Sequence, residues 1–187
     1  MRRQDREVTD LEDVLGIVGR AQVLRLGMMA GDYPYVVPLH YGFEWLPADG
    51  AGEGEGAAGV GSSAGAGAGA ASEGRGGCLV FYLHCAHEGR KLDLIRENPH
   101  VCVELDCDVQ MVSGGDVPCR YGSAYASVIG TGVACVVEDA AEKIHGLQLL
   151  MRNQIGRDFD FDQQMAASVE VVKVVVPDFS AKRRLVG

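Results

Sequence analysis

Apolar residues in this chain recur at two spacings, and the switches between them lay out its elements. Leu11, Val14, Leu15 and Val18 fall on one helical stripe, since a helix brings every third or fourth residue to the same side. Thr9 and Glu12 ahead of them fit a capping box, each satisfying the other's orphan N–H. Gly16 and Gly19 make this helix depend on packing. Strands are predicted over 23–29 and 33–45, joined through Ala30-Gly31-Asp32, which has turn composition. Pro34 and Pro38 cannot donate to a ladder, which puts them at an edge or a bulge. The apolar run 79–83 reads as a buried strand that delivers His84 to its end. A helix follows from Glu88 or Gly89 and stops at Asn98, ahead of Pro99.

Val101, Val103 and Leu105 alternate with Cys102 and Glu104, which predicts a half-buried strand over 101–105 and then a loop over 106–122. A long strand over 123–137 carries Gly130 and Gly132, the mark of a bulge or a barrel corner. Asp139 caps a second helix with Glu142 three residues on. Ile144, Leu147, Leu150 and Met151 share one of its sides, and Gly156 ends it. A valine run over 169–176 predicts a mostly buried last strand, ended by Pro177, with Lys182, Arg183 and Arg184 in an exposed tail.

About six strands with short connections favour closure, because a closed sheet leaves no long edge unpaired. The expected fold is mainly β within the α+β class: a small antiparallel barrel with peripheral helices. Residues 48–77 interrupt the pattern with Gly and Ala and have Val60 as their only large apolar side chain. Such a stretch cannot bury enough surface to offset its ordering entropy. We read it as a disordered excursion between two strands of one domain spanning 1–187, since closure entropy grows only logarithmically with loop length. No strand leads into its glycines and no Gly-Lys-Ser/Thr follows, which argues against a nucleotide loop.

Bulk properties narrow the class. The chain has 187 residues, 47% of them hydrophobic, and a net charge of −9, enough for a substantial core. The acidic balance argues against nucleic acid and anionic membrane as partners. No apolar run is long enough to span a bilayer, and the charged start shows no export signal, so a cytoplasmic location is expected. The six cysteines are then expected to be reduced.

Local chemistry concentrates between Cys78 and Pro99. Arg90 and Lys91 occupy the first turn of the expected helix, where each cation works against the helix dipole by about 0.3–1 kcal/mol if exposed. Two cations, a glycine and free backbone N–H groups suit a phosphate monoester; the alternative is a pair of solvated surface residues. Cys78, His84, Cys85 and His87 invite a metal reading. Their spacing lacks a paired short Cys-x2-4-Cys, and neighbours on a strand point to opposite faces, so no metal site is assigned.

The stretch HCAHEGRKLDLIRENPHVCVELD resembles the nitroimidazole-reductase-like (nitroimidazole resistance) family, within the pyridoxamine 5′-phosphate oxidase-like flavoproteins. Three further segments agree in order and spacing: MRRQDREVTDLEDVLGIVGRAQVLRLGM, YPYVVPLHYGFEW and YGSAYASVIGTGVACVVEDAAEKIHGLQLLM. The resemblance implies a six-stranded FMN-binding split β-barrel and a homodimer with flavin at the subunit interface. It implies that Arg90 and Lys91 hold the FMN phosphate, helped by Ser127 and Tyr125. Val37, Pro38, Leu39 and His40 would line the ring, with Val128 and Ile129 nearby, and His84 would be the catalytic residue beside flavin and substrate. On spacing alone, Ser127 and Tyr125 could equally lie on a water-exposed face, and His84 could be a strand-end histidine satisfied by backbone.

The implied function is an FMN-dependent oxidoreductase acting on a small molecule, with nitro-group reduction as the finer expectation. The alternatives are a non-catalytic flavin-binding or storage protein, a pyridoxamine 5′-phosphate oxidase-like enzyme, and a small-ligand or metal-binding regulator on a similar barrel. The terminal Arg183-Arg184-Leu185 is similar to the end of true pyridoxamine phosphate oxidases, but their substrate-phosphate arginine pattern is not convincingly present.

Overall fold

Helix α1 (Leu11–Arg20) starts one residue later than the capping box predicts. Asp10 is its N-cap, and the Asp10 carboxylate accepts from the Asp13 N–H at 2.9 Å. A carboxylate at this end gains from the dipole as well as from the hydrogen bond, which a threonine hydroxyl does not. Of the stripe expected from spacing, Val14 and Val18 are inaccessible to solvent and Leu11 and Leu15 are half-buried, while Ile17, outside that stripe, is also fully buried. The computed structural model describes residues 4–48 and 76–185. The excursion assigned to 48–77 therefore lies outside the described residues except at its flanks.

Strands β2 (Leu24–Ala30) and β3 (Tyr33–Leu39) form the expected hairpin. The single strand predicted over 33–45 is in fact two. β3 ends at Leu39, and β4 (Gly42–Pro47) pairs with β5 (Gly77–Cys85) at the far end of the sheet. The chain breaks at His40 and Tyr41 because the Tyr41 ring is drawn fully inside. Its hydroxyl is shared between the Val18 and Ala21 carbonyls at the end of α1, at 2.5 and 2.8 Å. Pro47 of β4 pairs with Gly77 of β5, so Gly77 belongs to the sheet and not to the interruption.

Helix α2 (Arg90–Glu97) matches its predicted bounds, and β6 (His100–Val112) follows. β6 runs seven residues past the predicted 101–105. A bulge explains the missed half: Asp108 has φ 57°, and the register against β7 (Gly122–Val136) shifts between Cys107 and Gln110. Beyond the bulge most of the strand is exposed, so alternation between apolar and polar residues no longer marks it. Helix α3 (Ala140–Ile155) is capped by Asp139 and ends at a left-handed Gly156, as predicted, and a short α4 (Gln163–Ala167) follows.

The last strand, β8 (Glu170–Arg184), passes straight through Pro177, which was expected to end it. Thr131 pairs with Asp178 and Val133 with Val175, so Pro177 falls in a register shift where its missing N–H is not needed. Gly132 lies opposite, where a Cβ would sit 2.1 Å from the Val175 carbonyl oxygen. The predicted bulge is there. The charged tail 182–184 is part of this strand: β1 (Glu7–Val8) pairs with it, and Arg183 bonds Asp13 of α1 at 3.1 Å.

All pairings are antiparallel, in the order β3-β2-β6-β7-β8-β5-β4 with β1 on β8. The sheet thus has eight strands and not six. Its end strands β3 and β4 do not pair among the described residues, so the barrel stays open. One main core lies on its inner face, filled by α1, α2 and the inward side chains of β2, β5, β6, β7 and β8. Helix α3 covers the outer face of β4, β5 and β8 and builds a second cluster with Val80, Tyr82 and Val171. The outer face of β2, β6 and β7 stays bare, leaving Met29, Ile129 and Val133 exposed. Among the described residues no helix is long and apolar enough to cross a membrane.

Gly42 is where α3 meets the sheet: a Cβ there would lie 2.2 Å from the Leu150 amide nitrogen. Gly42→Ala is expected to cost about 1–3 kcal/mol by overpacking. Gly19 is helical and would place a Cβ at an ordinary 3.7 Å from Phe43, so Gly19→Ala is expected to gain about 0.5–1 kcal/mol. Thermal melts of the two variants should move in opposite directions.

Candidate functional site

β5 carries Leu79, Phe81, Leu83 and Cys85 into the main core, which turns His84 to the other side and leaves it exposed. His84 lines a pocket of about 310 Å³ together with Gln22, His40, Leu150, Met151, Gln154 and Ile155. His40 follows β3, and its Nδ1 lies 3.1 Å from the Gln22 carbonyl oxygen and 3.0 Å from Gln154 Oε1. The Gln154 amide nitrogen donates to the Tyr41 carbonyl at 3.0 Å. Two histidines from distant strands thus share one small cavity against the last turns of α3.

The other predicted phosphate ligands sit at the start of α2. Gly89 has φ 144°, a backbone open only to glycine, and it offers no side chain to cap the helix. The N–H groups of Arg90 and Lys91 have no acceptor within the helix, whereas that of Leu92 already donates to the Gly89 carbonyl at 2.9 Å. Arg90 is exposed and lies over the Tyr35 ring of β3, 4.8 Å from the centroid. Lys91 is half-buried beside the Cys85 thiol. Burial pushes that thiol up, and the Lys91 ammonium works against it.

The remaining predicted residues divide by face. Val37 and Leu39 point inward against the main core, whereas Pro38 is on the exposed side of β3. Tyr125, Ser127 and Ile129 lie on the outer face of β7, with Ser127 between Asp106 and Lys182 in register. Val128 points the other way and is fully buried, so its side chain cannot share a wall with Ile129. The structure therefore unites His84 with His40, sets Arg90 on Tyr35, and puts the Ser127 row on a separate surface. Reasoning from the sequence missed Gln154 and Tyr35, and each had a signal. Gln154 is four residues after Leu150 on the apolar stripe of α3, and Tyr35 shares the inward alternation of Val37 and Leu39.

Elsewhere the titratable groups are structural. His145 pairs with Glu44 at 3.0 Å and packs edge-on against Tyr82, and none of the six cysteines is bonded to another. No group of three or more metal-ligating side chains exists among the described residues. A larger cavity of about 570 Å³ lies between the chain ends, lined by charged side chains that include the Asp13–Arg183 pair.

An open antiparallel sheet around one main core, with helices on its periphery, is a fold of the split-barrel class. The family model for pyridoxamine 5′-phosphate oxidase matches residues 10–183, and the chain belongs to that family. Among curated proteins none matches. The chain is similar in structure to a proposed 5-nitroimidazole antibiotic resistance protein from Bacteroides thetaiotaomicron, at 22% identity and TM-score 0.66, covering 94% of this chain and 85% of that one. It is similar to the flavocytochrome Anf3 from Azotobacter vinelandii, at 17% identity and TM-score 0.65, over 99% and 72% of the two chains. A third similar structure is the FAD- and haem-binding protein of Mycobacterium smegmatis, at 11% identity and TM-score 0.64, over 95% and 73%. At these identities the likeness concerns the fold.

Glu170, at the start of β8, ties the loop before α2 to α3. It accepts from Lys143 at 2.9 Å and contacts His87 at 3.1 Å. The Lys143 hydrogen bond, then that of His87, holds the Glu170 carboxyl below its usual range. A lowered native value means the stabilisation is complete above the ordinary glutamate pKa and is lost as pH falls through the native one. Glu170→Gln is therefore expected to cost up to about 1 kcal/mol at neutral pH. That difference from wild type should shrink as pH falls below the ordinary glutamate value of about 4.3 and vanish only below the lower native one, as denaturant melts at several pH values will read.

Proposed function

We propose that this protein is an FMN-dependent oxidoreductase that reduces a small molecule, a nitro compound by the finer reading. The observation that carries this is the pairing of His84 and His40 in one small pocket, with His84 six residues ahead of the helix start that bears Arg90 and Lys91. The uncapped start of α2 fits a terminal phosphate: Gly89 leaves the approach open, and Lys91 and Arg90 supply charge. Pro38 and the half-buried edge of β3 would flank the flavin ring. A bound flavin supplies the electrons; the chain's own work is to hold and orient. His84, on the open side of the pocket, would orient a nitro or carbonyl oxygen and hold a proton at that atom.

A pocket of about 310 Å³ is at the small end for a ligand site, which supports a second copy completing it. The bare outer face of β2, β6 and β7, with Met29, Ile129 and Val133 exposed and a hollow of about 420 Å³ lined by Cys102, Thr131 and Pro177, suits that role. Ser127 and Tyr125 lie on this same face, so in a homodimer they would reach the partner's flavin. Sedimentation should give a dimer, and a monomer that binds FMN fully would overturn this part. The flavin named for two of the similar structures supports a flavin here over a B6 vitamer alone.

Purified protein should be yellow and release FMN on acid treatment; colourless protein that takes up neither FMN nor FAD would overturn the reading, and release of FAD would overturn the choice of FMN. Lys91→Ala is expected to weaken FMN by about tenfold or more, the worth of one charged hydrogen bond, with a smaller effect for Arg90→Ala. His84→Ala should keep its flavin while turnover of a 5-nitroimidazole falls by about a hundredfold or more. Equal loss of both would remove His84 from the chemistry and leave a flavin-binding protein.

A further inference from the structure

The surroundings of His40 fix where its proton sits. The Tyr41 carbonyl can only accept, so the Gln154 amide must turn its nitrogen toward it, as it does at 3.0 Å. That choice turns Gln154 Oε1 toward His40, 3.0 Å from Nδ1. On the same nitrogen, at 3.1 Å, is the Gln22 carbonyl oxygen, a second group that can only accept. Between two acceptors Nδ1 must donate, and a neutral imidazole with Nδ1–H has a bare lone pair on Nε2.

We infer that His40 is the hydrogen-bond acceptor of this pocket, and that the pocket selects molecules carrying an N–H or O–H donor beside an apolar body. Leu150, Met151 and Ile155 supply the apolar wall. His84 has no such pair of acceptors among the described residues and remains for the acceptor end of the same molecule. Gln154 is a positioning residue, acting on the ligand only through His40. The inference rests on the proposed function for its meaning, in that the donor-bearing molecule is the substrate.

Two probes that differ in one donor test it: 4-nitroimidazole, with an N–H, and 1-methyl-4-nitroimidazole, without one. Equilibrium dialysis against the purified full chain is expected to show the N–H probe bound about tenfold more tightly, equivalent to about 1.4 kcal/mol. His40→Leu should bring the two probes within about twofold of each other, and Gln154→Leu, which leaves the Gln22 carbonyl as the remaining acceptor, should narrow the preference by less. Long-range proton–nitrogen NMR on histidine-labelled wild type reads the tautomer without any variant, and His40 should carry its proton on Nδ1.

Equal binding of the probes to wild type, or a proton on His40 Nε2, overturns the inference. If that happens in protein that holds FMN and reduces both probes, the flavin reading stands alone. If the preference survives in protein that takes up no flavin, the acceptor role is supported and the flavin reading falls.

Discussion

The fold and the site both hang on how Tyr41 is satisfied. Its ring is fully buried, and its hydroxyl sits between the Val18 and Ala21 carbonyls, two of the acceptors that the end of α1 leaves without helical partners. Burial pushes the Tyr41 hydroxyl well above the ordinary phenol range, so it stays a donor. Its own carbonyl accepts from Asn153 and Gln154 of α3. One residue thereby pins the crossover from β3 to β4 between two helices. Left without those partners, each buried polar group would cost about 1–3 kcal/mol. The neighbours of Tyr41 inherit their positions from it: His40 is held at the pocket, and Gly42 meets the backbone of α3.

A second asymmetry follows from where α3 lies. By covering β4, β5 and β8 it converts half of the outer sheet face into core and leaves the other half as surface. Gly146 permits this by approaching the Tyr82 ring, where a Cβ would come within 2.6 Å. Tyr82 in turn donates to Glu44 at 3.1 Å, and Lys173 pairs with Glu142, so the covered half is closed by hydrogen bonds as well as by apolar contact. The uncovered half has β-branched and thioether side chains with nothing above them among the described residues. Patches of that kind on a sheet are rarely left to water without a reason.

Much of this was legible in the sequence where one signal decided the outcome. Asp139 and Gly156 bracket α3, Gly89 and Pro99 bracket α2, and the valine run of β8 shows in 169–176. The failures occur where a local rule met tertiary structure. Pro177 looks like a stop, yet the bulge opposite Gly132 absorbs it. Asp106 and Asp108 look like loop, yet β7 pairs across them with one kink at a residue of positive φ. The residues 33–45 have unbroken strand character, and only the demand of α1 for a buried donor explains why Tyr41 leaves the sheet. The place of His84 near the end of β5 and of Arg90 and Lys91 in the first turn of α2 was readable from their order along the chain. The meeting of His84 with His40 was not, because it depends on a crossover that spans the whole sheet.

The two cations at the start of α2 illustrate how structure reweights a sequence signal. From the sequence both are anomalies, each opposed by the helix dipole by about 0.3–1 kcal/mol. Arg90 recovers about that much from the Tyr35 ring beneath it, since an exposed cation–π contact contributes about 0.5–1 kcal/mol. Its presence therefore calls for no anion. Lys91 has no such recompense: it is half-buried, its recorded neighbour is a thiol that burial keeps protonated, and no carboxylate pairs with it among the described residues. A partly desolvated ammonium beside unpartnered N–H groups would gain from an anion, as the proposed phosphate site requires. In the proposed phosphate site Lys91 and the backbone after Gly89 would be the main ligands, with Arg90 docking α2 against β3.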